Sequence, residues 1–386
     1  MDFAGNIDFA AHNAEVKRVW EAYNSRNPYR VPMRLNINPR IYLLDPKLNT
    51  EKISYQEFTE NPDVTMEVQM RSSYYIRHNL MADHEMGLPE NGWSCHPVNC
   101  SEDNWFGAET VYPPNNCPVC VEFLKDEDTK TSIFDKGLPE PFTGEAEKKM
   151  LKTYEYMLSQ VGKKFYKDVP LTSVAVPLTG TNGPMTIACN LRGTTEFCMD
   201  ILADPEYAEE LLDYITDATI ARIKAYRKRF HGYEKSAGLG FADDCIQLIG
   251  PDTYRDLVLP RHRRLIEELS TGEAPNAIHL CGDATRHFPM LKEELNIKSF
   301  DTGFPVEHGK LLRTLGRDVE ISGGVHVAIL ESGTPDQVRA ETRRILEEVM
   351  PESTRYIIQE ANNLSPCTPP ENIKAMYDTV LEYGLY

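Results

Sequence analysis

The stretch 277–283 reads A-I-H-L-C-G-D: an apolar run delivers a histidine and a cysteine two residues apart, then breaks at Gly282. In a strand, side chains alternate between faces, so His279, Cys281 and Asp283 would share one. Imidazole nitrogen and thiolate sulfur are ligands that zinc accepts, and a pair on one face supplies part of a metal site. Two ligands do not make a site, and the pair also reads as a satisfied core histidine beside an inert buried thiol. A catalytic zinc takes three protein ligands and keeps one position open. Two residues compete for the third place. Cys367, in N-L-S-P-C-T-P-P, offers the better donor atom, whereas Glu360, on the apolar run before it, stands in the better place.

Similar residues recur at the ends of other short apolar runs. The runs 238–242, 277–280, 297–300, 319–322 and 356–360 lead to Asp243-Asp244, the His/Cys/Asp trio, Asp301, Gly323-Gly324, and Glu360 with Asn362. Helix starts follow, as at Pro251-Asp252, Pro335-Asp336 and Pro370-Glu371, where proline opens the first turn. Strand–loop–helix units in a row mean parallel strands joined by helical crossovers. Two or three more from the N-terminal half bring the total to about eight, so the expected fold is α/β, a (β/α)8 TIM barrel. It would form one domain over residues 1–386. In such barrels the catalytic groups come from the C-terminal ends of strands. Asp244, Asp301 and Glu360 are therefore candidate catalytic acids, and His279, Cys281 and Cys367 candidate metal ligands. Of the neighbours Asp243 and Asp244 only one can point inward, the other capping the next turn; Asp244 is the inward choice. Asp301-Thr302-Gly303 also reads as an ordinary turn.

Upstream, residues 31–38 alternate apolar with polar and end at Pro39, which predicts the first strand, with Arg34 and Asn36 lining a site or facing solvent. Together with Asp283 and Asn362 they form the expected substrate-binding set. A further strand is expected at 172–176. Between 87 and 144 the pattern dissolves into Pro, Asn, Gly and aromatic residues. An irregular insertion of that length serves as a lid or as a subunit contact in a homodimer. Its Cys95, His96, Cys100, Cys117 and Cys120 read as a structural zinc knuckle or as unrelated reduced thiols.

Composition narrows the function classes. A net charge of −18 over 386 residues, without a basic run, argues against a nucleic-acid binder. No apolar run approaches the roughly 18 residues of a membrane span. The N-terminus, M-D-F-A-G-N-I-D-F-A, lacks a basic region and an apolar core, so the nine cysteines are expected as thiols in a cytoplasmic protein. No strand is followed by G-x-G-x-x-G, and there is no P-loop.

H-x-C-G at 279–282, D-x-G-x-P-V-E at 301–307, L-G-R-D-V-E-I-S-G-G at 315–324, G-T-P-D-Q-V at 333–338 and T-P-P-E-N-I-K-A-M at 368–376 together resemble the uroporphyrinogen decarboxylase superfamily. The resemblance runs from Asp204 to the C-terminus and implies a (β/α)8 barrel. Decarboxylases of that family are cofactor-free and carry an arginine-rich R-Q-A-G-R-Y motif for substrate carboxylates. This chain has R-L-N-I-N-P-R at 34–40 instead, and an acidic chain is a poor host for a polycarboxylated tetrapyrrole. The other branch is similar to corrinoid-dependent methyltransferases, whose coenzyme M members bind zinc through His-x-Cys and a later cysteine. His279 and Cys281 match the first part; Asn362 stands where the later cysteine would, with Cys367 five residues on.

The resemblance thus implies a methyltransferase between a small O-, N- or S-methyl compound, such as a methoxylated aromatic, and cobalamin carried on a separate corrinoid protein. Zinc would act on the heteroatom, or an acid such as Asp244 or Glu360 would protonate it. A cofactor-free decarboxylase and a non-enzymatic binding barrel are the alternatives.

Overall fold

The computed structural model describes residues 7–386. Contacts divide the chain into two compact units, the first made of Met1–Cys95, Met157–Ala175 and Phe300–Tyr386, the second of His96–Tyr156 and Val176–Ser299.

The rhythm of the C-terminal half is present as β1 (Gly240–Ala242), β2 (Asn276–Leu280), β3 (Ile297–Thr302), β4 (Glu320–His326) and β5 (Tyr356–Ala361). Helices Leu259–Leu269, Phe288–Leu295, His308–Leu315, Pro335–Val349 and Pro370–Tyr383 follow them in turn. In the second unit β1 and β2 run parallel with Ala242 opposite His279. In the first, β4 and β5 run parallel with Glu360 opposite Val325. The fold is α/β with parallel strands. Every residue of β5 is buried, as expected for a strand covered on both faces. Gln359 and Glu360 therefore stand out as polar groups in a buried strand.

Local signals explain most helix boundaries. Asp204 caps Pro205–His231 by accepting from the Tyr207 N–H at 3.4 Å, with proline at the first position. Thr334 and Gln337 form a reciprocal capping box at the start of Pro335–Val349. The helix that starts at Pro251-Asp252 is interrupted by a π turn over Tyr254–Val258, where the Leu259 N–H reaches the Tyr254 carbonyl. Pro260, with no N–H of its own, follows directly and cannot continue the regular ladder.

Residues 31–38 do not form the strand their alternation predicts. They touch β5 in a parallel bridge between Met33 and Ile358, backed by bonds from Arg34 N to Ile358 O and from Ile358 N to Pro32 O. The ladder stops because the Asn36 N–H donates to the Glu360 carboxyl at 2.6 Å instead of to a backbone carbonyl. On the second unit, Asn182 makes the equivalent parallel bridge to Ala242 of β1. The strand expected at 172–176 lies at Val169–Val174, in a small separate sheet between Trp93–Cys95 and Phe165–Tyr166.

The first unit is tied together by a buried ion pair. Arg30 donates two bonds to Asp83 at 2.7 and 2.6 Å, and the same carboxylate accepts from Met33 N and the Tyr377 hydroxyl. The long insertion holds a short helix, Glu102–Trp105, and a two-stranded hairpin, Thr110–Val111 with Val119–Cys120. Among the described residues, no helix is long and apolar enough to cross a membrane.

Candidate functional site

In the second unit the register of β1 against β2 builds a cluster. Ala242 lies opposite His279, so Asp244, two residues past that point, arrives beside Cys281. The Asp244 carboxylate accepts from the Cys281 backbone N–H at 2.6 Å. Within β2 the burial alternates, with Ile278 and Leu280 buried and His279 half-buried on the other face. His279 Nε2 lies 2.9 Å from Cys281 Sγ. Donor atoms of Asp244, His279 and Cys281 all fall within 4.8 Å of one another, and each residue is half-buried. Burial pushes the Cys281 thiol up from its ordinary value, which His279 opposes and Asp244 reinforces.

One nitrogen, one sulfur and one carboxylate oxygen, converging at a half-buried place, fit the donor chemistry of a catalytic zinc. Three ligands leave the open position that such a site needs. Asp244, expected as an acid, thus stands with the two expected ligands. Asp283 does not join them: it is exposed, and its carboxylate closes the next turn by accepting from Thr285. Cys367 is exposed at a backbone φ of 62° and is outside the cluster. Among the described residues no second group of three metal-capable side chains draws together. Cys120 sits instead with Ser101, Asn104 and Thr110, where the hairpin places it.

The first unit gathers Arg34, Asn36, Asp301, Glu360 and two residues that sequence reasoning passed over, Ser322 and Gln359. Arg34 donates to Gln359 Oε1 at 3.1 and 2.9 Å and to the Ser322 hydroxyl at 3.0 Å, so neutral oxygens hold its guanidinium. The Gln359 amide nitrogen donates to Asp301. The signal for Gln359 was its place, a polar residue inside the apolar run Y-I-I-Q-E-A.

Glu360 has no exposed surface; one oxygen accepts from Asn36 N, and the other has no hydrogen-bond partner among the described residues. Burial raises its carboxyl well above the usual range, and nearby Asp301 adds to the effect. A carboxyl raised in this way keeps its proton to higher pH than a free glutamate, which suits a proton donor. Asn362, with φ at 111°, turns the chain directly after β5.

The family model for uroporphyrinogen decarboxylase matches residues 104–383. A methylated-thiol–coenzyme M methyltransferase of Methanosarcina mazei is 34% identical over 197 residues, which cover 50% of this chain and 49% of that protein. A methylcobamide:CoM methyltransferase of Methanosarcina acetivorans is 22% identical over 227 residues, covering 58% and 61%. A uroporphyrinogen decarboxylase of Nocardia farcinica is 28% identical over 191 residues, covering 47% and 50%. The chain thus spans about half to three fifths of the length of these relatives. Among solved structures, a methyltransferase from Methanosarcina mazei superposes with a TM-score of 0.64 at 17% identity, covering 95% of this chain and 98% of that one. That likeness shows a shared fold.

Proposed function

We propose, from the premise that this chain belongs to the uroporphyrinogen decarboxylase family, that it is a methyltransferase exchanging a methyl group between a small molecule and a cobamide carried on a corrinoid protein. The observation that carries this reading is the convergence of Asp244, His279 and Cys281. Two similar proteins are named for methyl transfer to coenzyme M, one of them from a methylcobamide, which supports the same chemistry here.

Zinc bound by these three side chains supplies Lewis acidity to the sulfur, oxygen or nitrogen that gains or loses the methyl group. The protein's own groups prepare that place. Cys281 would hold the metal as a thiolate, and the carboxylate of Asp244, fixed by the Cys281 N–H, would add a second negative charge. The first unit carries a polar group of its own, in which the raised Glu360 carboxyl can hold a proton and the guanidinium of Arg34, held by neutral oxygens, can meet an anion. Asn36, whose N–H donates to the Glu360 carboxyl, and Asn362, whose N–H donates to the Glu360 carbonyl, belong to the same group.

The second reading, a cofactor-free decarboxylase, is favoured by the relatives named uroporphyrinogen decarboxylase and by Arg34. Elemental analysis separates the two. Protein purified from metal-replete growth should carry about one zinc per chain, removable by a chelator and restored on adding zinc. Metal-free protein from such growth would overturn the metal reading and favour the decarboxylase.

A further inference from the structure

The residue before Asp244 takes no part in the proposed chemistry, yet it is one of the most tightly held groups in the second unit. Asp243 has no exposed surface. Its carboxylate accepts from the Thr186 N–H at 2.7 Å, from the Thr186 hydroxyl at 2.7 Å and from the Met185 N–H at 3.3 Å, at the start of helix Pro184–Arg192. The other oxygen-directed partner is His262, whose Nε2 lies 2.7 Å away and which is itself without exposed surface. The remaining ring nitrogen of His262 lies 3.1 Å from the Tyr254 hydroxyl, and Phe241 packs edge-on against the ring. Tyr254 begins the π turn described above, and the histidine eight residues later lies on the regular helix that follows it.

Two further contacts show that this network bears on Asp244. Thr186, which donates to Asp243, also accepts from the Cys245 N–H at 3.1 Å, so one hydroxyl grips the chain on both sides of Asp244. Residue 183 is glycine where a Cβ would stand 2.2–2.6 Å from the Asp243 side chain. The helix start thus closes onto Asp243 at a distance only glycine permits. The backbone of Asp243 is neither helical nor extended, at φ −149° and ψ 71°, and that conformation turns Asp244 towards β2.

We propose that His262 is a positioning residue for the metal cluster: by fixing Asp243 at the end of β1, it sets the direction in which Asp244 meets His279 and Cys281. This rests on the reading of those three residues as ligands. A carboxylate buried without one of its partners reorients to recover hydrogen bonds, and the residue bonded to it in the chain moves with it. Groups hydrogen-bonded directly to a metal ligand typically contribute about 10- to 100-fold in affinity; His262 acts one residue further off, through Asp243, so the lower end of that range is expected.

The test uses cobalt(II) in place of zinc on the full chain, with His262→Phe, which fills the space without an N–H, and His262→Gln, which keeps a donor. The expected result is a cobalt dissociation constant about 10-fold weaker in His262→Phe, with a shifted visible spectrum, and recovery in His262→Gln. Wild-type affinity and an unchanged spectrum in His262→Phe, whatever its melting point, would overturn the proposal. If His262→Phe does not fold, Thr186→Val removes the other grip on Asp243 and is expected to weaken cobalt binding in the same range. Should wild-type protein take up no cobalt, the ligand reading fails on its own account. Positioning is then read in metal-free protein from hydrogen exchange at the Cys281 amide, which donates to Asp244. Exchange about tenfold faster in His262→Phe supports positioning, and an unchanged rate overturns it.

Discussion

Replacing Cys281 with alanine should abolish stoichiometric zinc and lower methyl transfer by about 10³-fold while leaving the fold intact. A metal centre supplies several kcal/mol of charge stabilisation, and about 4 kcal/mol corresponds to that factor in rate. The structural cost should be small for two reasons. Cys281 is half-buried, so a lost sulfur opens little cavity, and its thiol carries no charge that a partner would miss once it is gone. The bond from the residue's backbone N–H to Asp244 survives the substitution, because it does not involve the side chain. Equilibrium dialysis with zinc, a rate assay and a urea melt, run together on wild type and Cys281→Ala, check the claim. Loss of metal and rate without loss of stability is the expected pattern; retained rate would mean that Cys281 is an inert core thiol.

Glu360→Gln should make the protein more stable at neutral pH and less active. The sign follows from where the proton sits. Burial raises the folded carboxyl well above its ordinary value of 4.5. Between that value and the folded one, the unfolded chain has released the proton and the folded chain has not, so folding becomes less favourable as pH rises. The cost grows by about 1.4 kcal/mol per pH unit across that window and vanishes below it. Glutamine has nothing to ionise, and its amide oxygen can accept from Asn36 N as the carboxyl does. The stability difference between variant and wild type should therefore be small at pH 4.5 and grow in favour of the variant as pH rises above it. The same change removes a proton donor, which general acid catalysis values at about 10²- to 10⁴-fold. Urea melts across this pH range measure the first effect. A difference that stays flat with pH would mean that Glu360 ionises normally in the folded chain.

The order and kind of elements in the C-terminal half were legible because each strand is a short apolar run closed by proline- or acid-led helix starts. The cluster was half legible. His279 and Cys281 come from one strand, so alternation alone places them on one side. Asp244 comes from the neighbouring strand, and its arrival depends on the register that sets Ala242 opposite His279, which no single strand reveals. Asp283 was misplaced because alternation holds only while the strand lasts, and β2 ends at Leu280. Residues 31–38 show the reverse failure. Their pattern is that of a strand, but a side chain, Glu360, takes the N–H that pairing would have used. The π turn at Tyr254 was hidden as well, since apolar spacing does not distinguish five residues of wider helix from a regular turn.

Methyl transfer by this protein is tested most directly by the fate of a methyl group carried on cobalt. Zinc-loaded protein mixed with methylcobalamin and coenzyme M should accelerate the loss of the methyl–cobalt absorbance and yield the methylated thiol. Removal of zinc should suppress both, and its return should restore them. Demethylation no faster than the protein-free rate, together with metal-independent release of carbon dioxide from a carboxylated substrate, would contradict the account and establish a decarboxylase.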